Sequence, residues 1–155
     1  MSIQDLGSVG ELVGAVAVVL SLLYLATQIR QNTQATRASS YEDVAQGVRA
    51  FMALIAQDEG LAQIYLRGAA TSNHLAPPEQ VRFEMLLGHF FANFDMAVDL
   101  YRRRMIDDKM MIPYSRFAGS LLAQAGVAEY WESSQHFFSD DLRTHIETLE
   151  GGSAP

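Results

Sequence analysis

Leu12-Val-Gly-Ala-Val-Ala-Val-Val-Leu-Ser-Leu-Leu-Tyr-Leu-Ala-Thr-Gln-Ile29 lies between Glu11 and Arg30 and carries no charge over eighteen residues. As a helix rising about 1.5 Å per residue it covers roughly 27 Å, close to the hydrocarbon thickness of a bilayer. No other segment of the chain approaches it. Three structures suit such a run. A cleavable signal peptide needs cations ahead of the apolar stretch and a small-residue cleavage site behind it, yet the flank is Met1-Ser-Ile-Gln-Asp5 and no cation precedes Arg30. A buried core helix is the second alternative, because Ser21, Thr27 and Gln28 dilute the apolarity. The reading preferred is the third, a single transmembrane helix. Asp5 and Glu11 flank it on one side and Arg30 and Arg37 on the other. The excess of cations on the cytoplasmic side of most spans then puts the N-terminus outside and the C-terminal domain in the cytoplasm.

Small residues are patterned along this run. Gly7, Gly10, Gly14, Ala17 and Ser21 recur at spacings of 3, 4, 3 and 4, and Gly10 to Gly14 is a GxxxG step. Such a seam lets helix backbones approach one another inside a membrane. The same spacing continues through Tyr24, Gln28, Gln31, Ala35 and Ala38, and a sustained 3-4 repeat suits left-handed packing near +20°. The expected partners are therefore the lipid bilayer and either further copies of this chain or the transmembrane helices of a larger complex. Gln28, Arg30 and Gln31 form a polar collar where the helix leaves the membrane.

Beyond the run, the pattern is helical throughout, and the fold class expected is all-α. The organisation expected is an anchor with its exit collar over residues 1–35, a helical bundle over 36–150 and a disordered tail over 151–155. No proline occurs before Pro77, so residues 8–57 can continue as one helix leaving the membrane as a stalk. Ser40 followed by Asp43 resembles a capping box and offers a break. Tyr41, Val44, Ala45, Val48, Phe51, Met52 and Ile55 follow the i, i+3, i+4, i+7 rule. Asp58-Glu-Gly60 ends that segment, and a short helix over 60–70 follows. Pro77 opens a helix over about 78–105, whose Phe90, Phe91 and Phe94 mark it as the core element. Asp107-Asp108 starts the next helix, disturbed at Pro113 and broken at Gly126. Trp131 lies on a short helix, and Ser139 begins the last.

The formal charge of −7 and the single lysine, Lys109, speak against a nucleic-acid partner, which relies on clustered cations. The absence of cysteine excludes disulfides, thiolate metal sites and cysteine nucleophiles. Arg102-Arg-Arg104 is the one cation cluster; it suits anionic lipid headgroups or an acidic partner, although cations at a helix C-terminus also complement the helix dipole. Tyr130-Trp131 and Phe137-Phe138 are expected to close the helical core as a lid, and Trp131 is also a candidate for partner contact. Glu132/His136 and Asp141/His145 stand one turn apart but match no metal motif, so no metal and no cofactor is expected. Asp95 and Asp99 are one turn apart among aromatics and are expected to face solvent or to pair with Arg102 or Arg103. Arg82 and His89 share a helix face and loosely resemble the arginine–histidine signature of HEPN helical nucleases. Phe83 departs from that pattern, which favours a polar residue after the arginine.

The quoted run, continued by Arg30-Gln-Asn-Thr-Gln-Ala-Thr-Arg-Ala-Ser39, resembles the opening of an uncharacterised family of small bacterial proteins with a GA-x-AVV-x-SL-x-YLA-x-QIRQNT segment. The likeness continues through the phenylalanine-rich helix and the Trp131 region. It implies a one-span protein of the bacterial inner membrane with a helical domain, and it brings no catalytic residue. The function expected is that of a non-enzymatic membrane protein that self-assembles or serves as an accessory or scaffold subunit. The alternatives are an oligomeric pore with the Gln28/Gln31 collar at its mouth, and a membrane-anchored HEPN-like nuclease using Arg82 and His89.

Overall fold

The computed structural model describes residues 3–71 and 75–151, the side chains of residues 3–10, Leu12 and Glu150 excepted. His74 and the tail beyond Gly151 lie outside the described residues. So do the surroundings of Gly7 and Gly10, whose backbone is helical. The fold is all-α. The chain forms two compact units, Met1–Ala38 and Ser39–Pro155.

Helix α1 spans Ile3–Gln57 without interruption. Four of its hydroxyls fold back onto the helix itself. Ser21 donates to the Ala17 carbonyl at 2.8 Å and Thr27 to the Tyr24 carbonyl at 2.7 Å. Thr33 and Thr36 do the same to Ile29 and Asn32. The residues that dilute the apolar run thus present few unsatisfied polar atoms. The break considered at Ser40 does not form. Ser40 is buried within α1, and Val44 and Phe51 hold the following turns in the core, so continuing the helix costs less than capping and restarting it.

Residues 39–57 of α1 join five further helices in the second unit. They are α2 Glu59–Ala70, α3 Pro77–Arg102, α4 Asp108–Leu122, α5 Ala125–Ser134 and α6 Asp140–Glu150, with a 3-10 turn Gln135–Phe137 between the last two. Their starts are chemically marked. The Asp58 carboxylate accepts from the Leu61 N–H at 2.9 Å, Asp107 from Lys109 at 3.1 Å, and the Ser139 hydroxyl oxygen from Leu142 at 3.1 Å. Pro77 occupies the first turn of α3, and Glu79 reaches back to the Ala76 N–H at 3.1 Å.

Two helix ends depart from the sequence expectation. Helix α4 contains Pro113, as expected, and ends at Leu122, but Gly126 lies in the first turn of α5 rather than between helices. Gly126 is there for packing: a Cβ would overlap the Gly68 carbonyl oxygen on α2. Helix α3 stops at Arg102 because Arg104 turns left-handed, with φ 59°. The Met105 N–H then bonds the Leu100 carbonyl at 2.8 Å and the Arg104 N–H bonds the Tyr101 carbonyl at 2.9 Å, the two bonds of a Schellman end.

The core is aromatic and centred on α3, as its three phenylalanines suggest. Phe90 meets Phe51 of α1 at 5.1 Å and Phe117 of α4 at 5.7 Å; Phe91 stacks on Trp131 of α5 at 4.9 Å; Phe94 meets Tyr114 of α4 at 4.8 Å. Such ring pairs add about 0.5–1.5 kcal/mol each beyond burial.

Candidate functional site

Two features stand out, one in each unit. The first is the apolar part of α1. Ten large side chains from Val13 to Ile29 are each between 50% and 68% exposed. They include Val18, Val19 and Leu20 in succession, so the exposed apolar surface goes round the helix rather than along one stripe. This helix is long and apolar enough to cross a membrane, and none of its most apolar window is buried. Gly14, Ala17 and Ser21 are exposed, and a Cβ at Gly14 would meet nothing. Gln28, Arg30 and Gln31 are exposed as well.

The second feature is a cavity of about 150 Å³ in the helical unit, bounded by Tyr101 at the end of α3, by α4 and by α6. Met111, Ile112 and Leu149 make it apolar. Ser115 and His145 supply a polar spot: Ser115 Oγ and His145 Nε2 stand 2.9 Å apart. Ser115 is buried and His145 half-buried, its ring edge against Phe94 at 5.6 Å. Burial holds the His145 imidazole below its ordinary pKa, which favours the neutral ring. Arg116 borders the same cavity. Tyr101 contributes its ring, because its hydroxyl donates to Asp108 at 2.7 Å.

A hydroxyl beside a neutral imidazole is two thirds of a nucleophilic triad. The third member would be a carboxylate on the other ring nitrogen. Asp141, one turn before His145, is instead paired with Arg102.

The residues singled out from sequence fall as follows. Arg102 pairs with Asp141 and Arg103 with Asp99 at 2.9 Å, while Arg104 makes the helix end. The triple arginine is therefore partly spent inside the fold. Trp131 is 5% exposed and stacked with Phe91 and Phe138, so its large ring closes the core over α3 as a lid residue, and the alternative of partner contact is corrected because little of the ring is left exposed. The exposed aromatic nearby is Phe137, at 77%. Asp95 accepts from the Ser139 N–H at 3.1 Å and from its hydroxyl, tying α6 to α3. Arg82 pairs with Asp58 at 2.8 Å, and His89 is exposed on the same helix. His136 packs on Phe137 at 4.0 Å. Among the described residues no three acidic or histidine groups converge as a metal site.

Sequence reasoning missed the Ser115–His145 pair, whose members lie thirty residues apart on different helices; no spacing rule connects them. No family model, curated protein or solved structure matches the chain.

Proposed function

We infer that the chain is a single-span membrane protein whose N-terminal helix anchors a helical domain and packs against other membrane helices. One observation carries this reading: the apolar surface of residues 13–29 is exposed on all sides of α1. Leaving a Val or Leu in water rather than burying it costs about 1.5–3 kcal/mol, so ten such side chains need a cover. A bilayer surrounds a helix completely, whereas a protein groove covers a stripe. The internal hydroxyl bonds of Ser21 and Thr27 suit the same environment.

The small face of Gly14, Ala17 and Ser21, continued toward Gly10 and Gly7, is the surface for helix–helix contact. Arg30 and Arg37 favour the helical domain in the cytoplasm, and the resemblance of the N-terminal segment favours a bacterial inner membrane. The role that fits is non-enzymatic, as a self-assembling or accessory subunit.

The test begins with alkaline carbonate. The protein is expected to stay with the membrane pellet, and its release into the supernatant would overturn the anchor. Assembly is read separately by sedimentation in mild detergent. Gly14→Leu and Ala17→Leu are expected to shift an oligomer toward monomer, and Val18→Leu is expected not to. A wild-type monomer in these conditions would overturn the assembly role.

A further inference from the structure

We propose that the cavity between the end of α3, α4 and α6 is a binding site for a small monocarboxylate with an apolar body of about six carbons. All of its residues lie in the Ser39–Pro155 unit, so the inference does not rest on the membrane reading.

Size comes first. An apolar protein cavity near 150 Å³ holds a molecule such as benzene, and this one has that volume. Its walls are hydrocarbon from Met111, Ile112 and Leu149. Helix α4 leaves room on one side because Gly119 has no side chain, and a Cβ there would meet nothing within 4 Å. A helix-interior glycine costs about 1 kcal/mol relative to alanine; here it keeps the space open.

Charge comes second. Six of the ten arginines are engaged by carboxylates: Arg49, Arg67, Arg82, Arg102, Arg103 and Arg143. Arg116 makes no ion pair or side-chain hydrogen bond among the described residues, and it borders this cavity. Its planar guanidinium matches a carboxylate. The number of cations then limits the guest's charge. His145 is the other titratable base on the wall, and burial keeps it neutral. One fixed positive charge in an acidic protein suits a monoanion and not a phosphate dianion. The Ser115–His145 pair offers a hydrogen bond to the second carboxylate oxygen, by the serine hydroxyl or the imidazole N–H, whichever the tautomer frees.

The probe is phenylacetate, a benzene ring bearing a carboxylate. Radiolabelled phenylacetate is dialysed to equilibrium against the full chain in lipid nanodiscs, with empty nanodiscs as the blank, and phenylacetamide is the neutral comparison. The expected result is saturable binding of one phenylacetate per chain. Arg116→Gln is expected to weaken phenylacetate about tenfold and to leave phenylacetamide unchanged. Gly119→Leu, which places a strong helix former into the empty space, is expected to keep the helical circular dichroism and to abolish binding of both. Absence of saturable binding, binding that survives Gly119→Leu, or an Arg116→Gln effect equal for acid and amide would each overturn the proposal.

Discussion

At the scale of single residues, the helical unit depends on contacts with little slack. Gly126 touches the Gly68 carbonyl where α5 crosses α2, and an added methyl has nowhere to go except by separating the helices. Gly126→Ala is expected to cost about 1–3 kcal/mol, read from denaturant unfolding, despite alanine's better helix propensity. His145 sets a pH dependence. Its imidazole is held below the ordinary 6.5 by burial, so the unfolded chain takes the proton first. Its contribution is complete above about pH 6.5 and is lost as pH falls below that value. Asp58 is held low chiefly by the Leu61 N–H and then Arg82, and Glu79 chiefly by Arg67. Both are depressed from carboxylate values, so their contributions vanish at lower pH. Tyr101, which shares the cavity, is pushed above its ordinary range by its hydrogen bond to Asp108 and lies outside the His145 window. Thermal melts of His145→Gln are therefore expected to flatten just below pH 6.5 while keeping the acid limb at lower pH.

At the scale of elements, helix ends explain features that first suggest surface recognition. Arg104 holds a left-handed conformation that a Cβ disfavours by about 1 kcal/mol. Arg104→Gly is expected to raise stability by about that amount, measured by chemical denaturation, and an equal loss would show that its side chain matters more than its backbone. Ser139 both caps α6 and donates to Asp95 of α3. Ser139→Ala removes both roles and is expected to cost about 1–2 kcal/mol. Asp95→Asn, which keeps an acceptor for the Ser139 N–H, is expected to cost less. Asp95 thus ties the start of α6 to α3, whereas Asp99 pairs with Arg103 at the end of its own helix.

At the scale of the whole molecule, the two units differ in how they treat their apolar side chains, which are exposed over residues 13–29 of α1 and buried in the helical unit. The Ser39–Pro155 unit keeps Val44 and Phe51 of α1 within its own core. A fragment beginning at Ser39 is expected to be water-soluble, helical and cooperatively unfolding. One beginning at Asp58 lacks both side chains and is expected to lose several kcal/mol. Retention of full stability by the shorter fragment, in matched melts, would show that the last turns of α1 contribute nothing to the core. Placing an aspartate at Leu22 tests the other unit, and membrane retention in carbonate is expected to drop sharply.

Local chemistry determined much of this in advance. Eighteen uncharged residues, apolar periodicity, proline in a first turn, aspartate and serine caps, and three closely spaced phenylalanines are all short-range signals, and they made the all-α class and the central helix legible. Tertiary packing alone decided three matters. It carried α1 past Ser40, because burying Val44 and Phe51 outweighs a local cap. It set which rings Trp131 closes against, Phe91 of α3 and Phe138. It also brought Ser115, His145 and Arg116 around one cavity. Residues thirty positions apart meet only when helices cross, and no period within one helix encodes that crossing.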